Sequence, residues 1–204
     1  IKNKMIKFKK IKENFVHHTA IINWKKVKIG KGNIIGPNVI IGTDAQHPYL
    51  DSKGEIIIGN NNTFREFTTV HLPTEIKKIT KIGNNCYFMA LSHIAHDCNI
   101  EDEVIFSNNV TLGGNTYVMT KSQIGFNSTI HQNQVIGSFS MIGMSSVITK
   151  KMKIIPGYIY AGNPAKRIFL KKIGIKKKNI NKIDLKKEKI RFTSIAKKHS
   201  LYKG

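Results

Sequence analysis

The segment "LSHIAHDCNI" (Leu91–Ile100) places two histidines, an aspartate and a cysteine close together. Three interpretations fit these residue types: a metal site, a general base oriented by a carboxylate, or polar residues on an exposed turn. A neutral imidazole can accept a proton near neutral pH, and an adjacent carboxylate can fix its tautomer. The spacing alone does not decide among them, so the answer depends on the elements that position the segment.

A six-residue period surrounds this segment. In steps of six from Ile58 to Ile148 every position is apolar, although hydrophobic residues make up only 40% of the chain. The period fits neither an α-helix nor an alternating strand, and it is typical of the hexapeptide repeats of a parallel β-helix. We therefore predict an all-β solenoid, a left-handed parallel β-helix in which three hexads close one triangular coil.

Small residues follow the inward apolar position in many hexads. The glycines in this position are Gly59, Gly83, Gly113, Gly125, Gly137 and Gly143. We expect them to turn the corners of each coil, where glycine tolerates unusual φ values. The six-residue period is also present upstream, at Ile29, Ile35 and Ile41. It is interrupted between Ile41 and Ile58, so the intervening segment "TDAQHPYLDSKGE" is predicted to be a loop.

Both ends of the chain depart from the repeat. Residues 1–15 are predicted to form a basic N-terminal arm, and residues 16–160 the β-helix domain. Residues 161–204 are predicted to form a closing loop and a short, basic α-helical extension. From about Ala165 onward lysines alternate with Ile and Leu at helical spacing, which predicts one or two basic amphipathic helices.

Composition restricts the function further. The net charge of +22 is not accompanied by a nucleic-acid reading motif or by stacking aromatics, so we do not expect nucleic-acid binding. No apolar run is long enough for a signal peptide or a membrane-spanning helix. The only cysteines, Cys86 and Cys98, favour a reducing compartment, and we expect a cytoplasmic protein.

Several segments resemble the UDP-N-acetylglucosamine O-acyltransferases, left-handed β-helix enzymes of lipid A synthesis that typically work as trimers. They also resemble shorter relatives that acylate amino groups of nucleotide-linked deoxyamino sugars. The segments are "REFTTVH", "TKIGNNCYFMALSHIAHDCNI", "SNNVTLGG", "IGFNSTIHQ" and "IPGYIYAGNPAK", and "HIAHDC" is the most specific. The resemblance covers about Val16 to Lys178. It implies a homotrimer with active sites between subunits, which transfers an acyl group to a nucleotide-linked amino sugar.

The resemblance also implies roles for individual residues. His96 is the implied general base, and Asp97 is the carboxylate that orients it. The side chains implied to bind the sugar and diphosphate are His71, His93, Asn115, His131, Gln132 and Arg65. The glycine pair Gly113–Gly114, one coil above His96, is the candidate backbone donor for the oxyanion of the tetrahedral intermediate.

The acyl donor has its own implied residues. No bound cofactor is expected, and acyl-CoA or an acyl-acyl carrier protein is the implied co-substrate. "AGNPAK", with Asn163 and Lys166, resembles the loop that closes over the pantetheine arm. Met144 stands at the position that sets acyl length in the family, and its bulk is expected to shorten the acyl group accepted.

Three places depart from the family pattern. Asn115 replaces a histidine, and "QHPYLD" (Gln46–Asp51) replaces a segment that contacts the glucosamine. The positions whose side chains bind the uridine part of the substrate in the family are occupied here by Lys171, Ile173 and Lys177. The sequence therefore leaves open the sugar and nucleotide, O- or N-acylation, the acyl length, and the choice between CoA and a carrier protein.

Two other functions remain as alternatives. One is a CoA-dependent N-acetyltransferase acting on a dTDP- or UDP-linked deoxyamino sugar. The other is a zinc hydratase of the gamma-carbonic-anhydrase type, but those enzymes space two histidines five apart, whereas His93 and His96 are three apart. We therefore predict no metal site.

The remaining polar features have simple interpretations. His17, His18 and His199 are predicted to be solvated surface residues. The basic tail is either a solvated helix face, a docking surface for an acidic acyl carrier protein, or a peripheral contact with an anionic membrane.

Overall fold

A computed structural model describes residues 7–170 and 182–200 of the chain. Within these residues the chain winds through three sheets of ten, six and seven short strands. The first sheet contains β1 (Phe8–Ile11), β2 (Asn14–His17), β5 (Ile34–Ile35), β8 (Thr63–Phe64), β11 (Tyr87–Phe88), β14 (Ile105–Phe106), β17 (Gln123–Ile124), β20 (Met141–Ile142), β22 (Tyr158–Gly162) and β23 (Ala165–Leu170).

The other two sheets complete a triangular prism. The second sheet contains β4 (Val27–Ile29), β7 (Glu55–Ile58), β10 (Ile79–Ile82), β13 (Asn99–Ile100), β16 (Tyr117–Val118) and β19 (Val135–Ile136). The third contains β3 (Ile21–Ile22), β6 (Ile40–Thr43), β9 (Thr69–His71), β12 (His93–Ile94), β15 (Thr111–Leu112), β18 (Thr129–Ile130) and β21 (Val147–Ile148).

Equivalent residues of successive coils stack on one another. Ile82 pairs in parallel with Ile100, and Ile100 pairs with Val118, so inward residues recur one coil apart. The rings of Phe64 and Phe88 lie 5.0 Å apart in the centre of the prism. This continuous column of buried apolar side chains is the core, and the predicted left-handed parallel β-helix is confirmed.

The corners of the coils are built differently from the prediction. Positive φ values recur every six residues at non-glycine positions, for example at Asn109, Asn115 and Lys121. Gly42, after the inward Ile41, has a positive φ, but the six glycines that follow inward residues from Gly59 to Gly143 do not. They permit close stacking instead: a Cβ on Gly113 would lie 2.6 Å from the backbone nitrogen of Gln132 in the next coil. The expectation that these glycines supply unusual φ was therefore wrong.

Two insertions interrupt the repeat. The predicted loop lies between β6 and β7, at residues 44–54. A second interruption follows β9, because Phe64 pairs with Phe88, six residues beyond the regular coil spacing. Ile76 lies in this second insertion and is 59% exposed, so its predicted inward position was wrong. Six inserted residues preserve the six-residue phase, which is why the sequence pattern did not reveal the insertion.

Both ends of the solenoid are closed by antiparallel strands. β1 pairs with β2, and β22 pairs with β23. Residues 165–170 are therefore a strand, and within the described residues the helix predicted from about Ala165 corresponds to α1 (Lys182–Ser200). The domain boundaries stay predictions, although those at 15/16 and 160/161 both fall inside strands. Lys171, Ile173 and Lys177 lie outside the described residues.

The C-terminal helix α1 packs against the second sheet. Phe192 is buried against Met119 and Val135, and Arg191 forms an ion pair with Glu101. His199 is also buried, and its Nε2 donates to the Asn115 carbonyl. His17 is buried as well, so the prediction of a solvated position was wrong for both residues and is confirmed for the exposed His18. No helix within residues 7–170 or 182–200 combines the length and apolar character that spanning a bilayer requires.

Candidate active site

His96 and Asp97 lie at the turn between β12 and β13, where the chain passes from the third sheet to the second. The equivalent turns of three coils, residues 95–98, 113–116 and 131–134, stack as a column that we call the histidine edge. His96 Nδ1 lies 2.8 Å from Asp97 Oδ2. Because the carboxylate can only accept, Nδ1 carries the proton and Nε2 of the neutral ring is left with a lone pair. The pair has the geometry of a general base and its orienting carboxylate.

Asp97 is held rigidly by groups from the second insertion. Its Oδ1 accepts from the Thr74 backbone N–H at 2.9 Å, and its Oδ2 accepts from the Thr74 hydroxyl at 2.8 Å. The Asp97 backbone N–H donates to the Thr80 hydroxyl. Asp97 has a φ of 62°, a corner conformation that Asp and Asn tolerate better than most residues. Its carboxylate is therefore positioned before any substrate binds.

The two insertions pack on each other beside this pair. Ser52 of the first insertion bridges to Thr74 of the second, and the Leu72 backbone N–H donates to the Thr43 carbonyl. This packing brings the ring of His47 to 5.5 Å from the ring of His96, nearly perpendicular to it. Neither His47 nor Thr74 was among the predicted site residues. The interruption of the repeat before Ile58 was a signal for the loop that carries His47, whereas the insertion that carries Thr74 keeps the six-residue phase and left no signal.

His71 and His93 lie next to the pair, with ring centroids 4.7 Å apart. Burial, followed by the charges of His93 and His96, lowers the pKa of His71 to about 4. Burial and then His96 lower the pKa of His93 as well. Both rings are therefore neutral near pH 7. His71 Nδ1 is buried and has no hydrogen-bond partner among the described residues.

Gly114 lies directly against the His96 ring. A Cβ at residue 114 would lie 2.5 Å from both Cε1 and Nε2 of His96, so only glycine leaves room for the imidazole. Of the two candidate oxyanion donors, Gly113 uses its backbone N–H to donate to the Ile130 carbonyl. The Gly113 N–H is therefore already engaged, and Gly114 stays a prediction as the oxyanion donor.

The glycine contact leads to a first prediction. We expect Gly114→Ala to displace the His96 ring and to reduce kcat about tenfold to hundredfold, because small misplacements of a reacting group are costly. Gly137→Ala is the matched control, since its Cβ would also clash, at 2.5 Å, but with Ile154 and Pro156 on another edge. Both variants should lose stability in a melting experiment, and only Gly114→Ala should lose turnover. Equal turnover in the two variants would contradict the role of Gly114.

Cys98 follows Asp97 but is not a nucleophile. Burial raises the pKa of its thiol to about 12, and its Sγ donates to the Gly113 carbonyl. A thiol with this pKa stays protonated near neutral pH. The side chain is therefore a buried filler beneath the histidine edge.

Some of the other predicted site residues lie on the histidine edge. His131 and Gln132 occupy the third turn of the column, and Asn115 occupies the second, where its amide donates to Asn133. Arg65 does not join them. It lies at the turn between β8 and β9, on the other side of the third sheet, where its guanidinium pairs with Glu66.

The residues predicted to contact the acyl donor form a separate group. Met144 lies at the turn between β20 and β21, across the third sheet from the histidine edge, and is 70% exposed. Asn163 and Lys166 lie on the hairpin of β22 and β23. The Gly162 backbone N–H donates to the Ser146 hydroxyl, which fixes this hairpin beside the turn that carries Met144.

The histidines do not form a recognisable metal centre. Within the described part of the chain, no three or more His, Cys, Asp or Glu side chains are arranged to hold a metal ion.

The fold defines a hexapeptide-repeat protein. Residues 79–114, which include His96, Asp97 and Gly114, match the model of the bacterial transferase hexapeptide family (six repeats). The LpxA structure from Acinetobacter baumannii has a TM-score of 0.65 and is 30% identical over 84% of this chain and 78% of that one. The chain belongs to the family of UDP-N-acetylglucosamine acyltransferases.

Two other relatives support this assignment. The LpxA structure from Bacteroides fragilis superposes with a TM-score of 0.79 at 26% identity, over 93% of this chain and 78% of that one. The acyl-[acyl-carrier-protein]–UDP-N-acetylglucosamine O-acyltransferase of Gloeothece citriformis is 36% identical over 82% of this chain. The chain spans 60% of the length of that curated relative.

Proposed function

We propose that the protein transfers an acyl group from a pantetheine thioester, carried by an acyl carrier protein or CoA, to a nucleotide-linked amino sugar. The observation that carries the proposal is the bond between His96 Nδ1 and the Asp97 carboxylate, which leaves Nε2 free to accept a proton. The relatives are named for acylating UDP-N-acetylglucosamine, the first acceptor to test. In that role the protein would serve lipid A and lipopolysaccharide synthesis from the cytoplasm.

The reaction begins at His96. Its Nε2 removes the proton from the acceptor hydroxyl or amine while the acceptor oxygen or nitrogen attacks the thioester carbonyl carbon. The Asp97 carboxylate stabilises the imidazolium that forms, and Thr74 keeps the carboxylate in place. A hydroxyl is a weak nucleophile near neutral pH, so an O-acyl transfer depends on this base more strongly than an N-acyl transfer.

The tetrahedral intermediate then collapses. Its oxyanion receives a hydrogen bond from the backbone N–H of Gly114, which lies against the His96 ring. The C–S bond breaks, and the imidazolium returns its proton to the departing sulfur. The products are the acylated nucleotide sugar and a free thiol, with the neutral His96 regenerated.

The neighbouring polar groups position the acceptor. His71 and His93 are neutral near pH 7 and act as hydrogen-bonding groups for the sugar. Asn115, His131 and Gln132 extend this surface along the histidine edge. Arg65 is not part of this surface, because it lies on the other side of the third sheet, where its guanidinium pairs with Glu66.

A homotrimer with active sites between subunits is part of the proposal. One edge of the solenoid, between the first and third sheets, exposes a ridge of large apolar side chains. They are Phe67, Leu91, Phe126 and Met144. Exposed apolar ridges of this kind are common where another subunit packs. A trimer would also bring Met144 of one subunit close to the histidine edge of the next.

Met144 gives a prediction about acyl length. We expect Met144→Gly to extend the accepted acyl chain by several carbons, because removing the side chain opens the turn that the hairpin of β22 and β23 covers. Each additional buried methylene contributes about 0.8 kcal/mol, or roughly fourfold in kcat/KM. Met144→Leu keeps the bulk and should keep the short-chain preference. The measurement is the rate of transfer from a series of acyl donors of increasing chain length. If Met144→Gly leaves this preference unchanged, Met144 is not part of the acyl site.

The basic C-terminal helix is proposed to attract an acidic acyl carrier protein or an anionic membrane surface. Several of its lysines, such as Lys186 and Lys187, are exposed, so long-range attraction is available. The whole proposal is tested by offering UDP- and dTDP-linked amino sugars with acetyl-CoA or acyl carrier protein donors and measuring free thiol. Thiol release that requires a nucleotide sugar supports it, and no release with any pair would refute it.

A further inference from the structure

The last turn of the C-terminal helix touches the histidine edge. Phe192, in the middle of α1, is buried against Met119 and Val135 and holds the helix to the solenoid. His199, in the last turn of α1, donates from its Nε2 to the carbonyl of Asn115. Asn115 belongs to the second turn of the histidine edge. The helix therefore has one contact that fixes it to the sheet and another that reaches the candidate active site.

The His199 contact is a hydrogen bond from a neutral ring. A backbone carbonyl can only accept, so Nε2 carries the proton in this contact. Burial lowers the pKa of His199, which leaves the ring neutral near pH 7. The ring of Tyr117 lies 6.4 Å away and nearly perpendicular to it. Hydrogen bonds in partly buried surroundings are stronger than in water, so we expect the Asn115 turn to shift if this donor is removed.

The turn that accepts this bond is in direct contact with the proposed base. The Asn115 backbone N–H donates to the His96 carbonyl at 2.9 Å. Gly114, the residue before Asn115, lies so close to the His96 ring that a Cβ there would be 2.5 Å from Nε2. Successive peptide groups are planar and stiff, so a shift of the Asn115 carbonyl is passed on to Gly114. The position of this turn therefore decides how much room the His96 imidazole has.

The space between the end of the helix and the histidine edge is poorly filled. A cleft of about 410 Å³ lies there, with Ile195 and His199 on the helix side and Asn115 opposite. Side chains packed at the usual density of a protein interior would hold the turn even without a hydrogen bond. Because the cleft is open, that task falls to His199.

We propose that His199 is a positioning residue for His96. By holding the Asn115 turn, it keeps Gly114 against the His96 ring and the imidazole in its productive orientation. The proposal rests on the proposed function, since it takes His96 as the group that removes the acceptor proton. His199 acts through the turn and takes no part in proton transfer. Docking of α1 is thereby coupled to the rate of the chemical step.

The test compares three variants. His199→Leu removes the donor and keeps a side chain that can fill the buried position, whereas His199→Gln keeps an N–H donor and serves as the rescue. Phe192→Leu is the control, because it loosens the same helix about 10 Å away along its axis and leaves His199 in place. Hydrogen exchange of the α1 amides measures helix docking in each variant. Both kcat and KM are measured with UDP-N-acetylglucosamine and the acyl donor that gives the fastest thiol release with the unmodified protein.

A second readout needs no substrate. NMR of isotope-labelled histidine reports the tautomer and surroundings of the His96 ring, whose signals are assigned by their absence in His96→Gln. We expect His199→Leu to shift or broaden these signals and Phe192→Leu to leave them unchanged. Altered His96 signals without acyl transfer by any form of the protein would refute the proposed function and leave the coupling of His199 to His96 standing.

We expect His199→Leu to lower kcat about tenfold while KM changes by less than about threefold, because a small displacement of a reacting group acts on the chemical step. His199→Gln should recover most of this loss. Phe192→Leu should keep kcat within about twofold, although its α1 amides exchange faster. Equal losses of kcat in His199→Leu and Phe192→Leu would overturn the proposal, because the effect would then come from helix docking alone. Unchanged His96 signals in His199→Leu, or a loss confined to KM, would overturn it as well.

Discussion

Replacing His96 with alanine is expected to reduce acyl transfer to a hydroxyl acceptor by roughly 10²–10⁴-fold, the usual contribution of a general base. The reason is that Nδ1 of His96 donates its hydrogen to Asp97, so Nε2 carries the lone pair that accepts the proton of the acceptor. The fold should survive, because His96 lies at a turn and the core column consists of other side chains. Thiol release under saturating substrates measures the loss, and circular dichroism checks the fold.

A second replacement separates base chemistry from packing. In His96→Gln the side-chain amide can still donate to Asp97, but it cannot accept a proton in the useful pH range. It should therefore be nearly as slow as His96→Ala while melting close to the original protein. His18→Ala, at an exposed histidine, should have full activity. A loss of only about tenfold in both His96 variants would indicate an amine acceptor, and unchanged turnover would remove His96 from the mechanism.

Replacing Asp97 with asparagine is expected to cost turnover on the order of 10²–10⁴-fold, although His96 stays in place. An amide nitrogen at the Oδ2 position would donate to His96 Nδ1, so the proton would move to Nε2 and the base would be lost. The amide also cannot accept from both Thr74 donors and His96 at once. We therefore expect a loss of stability of about 1–3 kcal/mol as well.

Thr74→Val separates these two effects. It removes the hydrogen bond from the Thr74 hydroxyl to Asp97. The negative charge of Asp97 and the hydrogen bond from the backbone N–H of residue 74 are kept. It should lose comparable stability, measured by chemical unfolding, but keep much more activity than Asp97→Asn. Parallel losses of activity in both variants would mean that Asp97 acts only through packing.

The solenoid could be predicted because its physical constraint repeats. Each coil must bury one apolar residue per face, so apolar residues recur every six positions along most of the chain. The role of the glycines could not be read from that pattern, because glycine serves equally for positive φ and for close stacking. The structure assigns positive φ to residues such as Asp97 and Asn115 and close stacking to Gly113 and Gly114.

The candidate site was predictable only in part. His96 and Asp97 are adjacent in sequence, so their pairing needs no tertiary information. His47 and Thr74 lie on insertions whose packing against each other depends on contacts across the coils, for example the Leu72 N–H bond to Thr43. A local pattern cannot specify such a contact. The burial of His199 was hidden for the same reason, since it depends on where the C-terminal helix docks.

Mass spectrometry of the nucleotide sugar after incubation with the protein and an acyl thioester is the decisive measurement. Acyl transfer next to His96 predicts a nucleotide sugar heavier by one acyl substitution, with one free thiol per acylated molecule, and slower formation of both products in His96→Ala. Thiol release with every nucleotide sugar recovered unmodified would instead mean hydrolysis, and acylation at an unchanged rate in His96→Ala would place the reaction elsewhere.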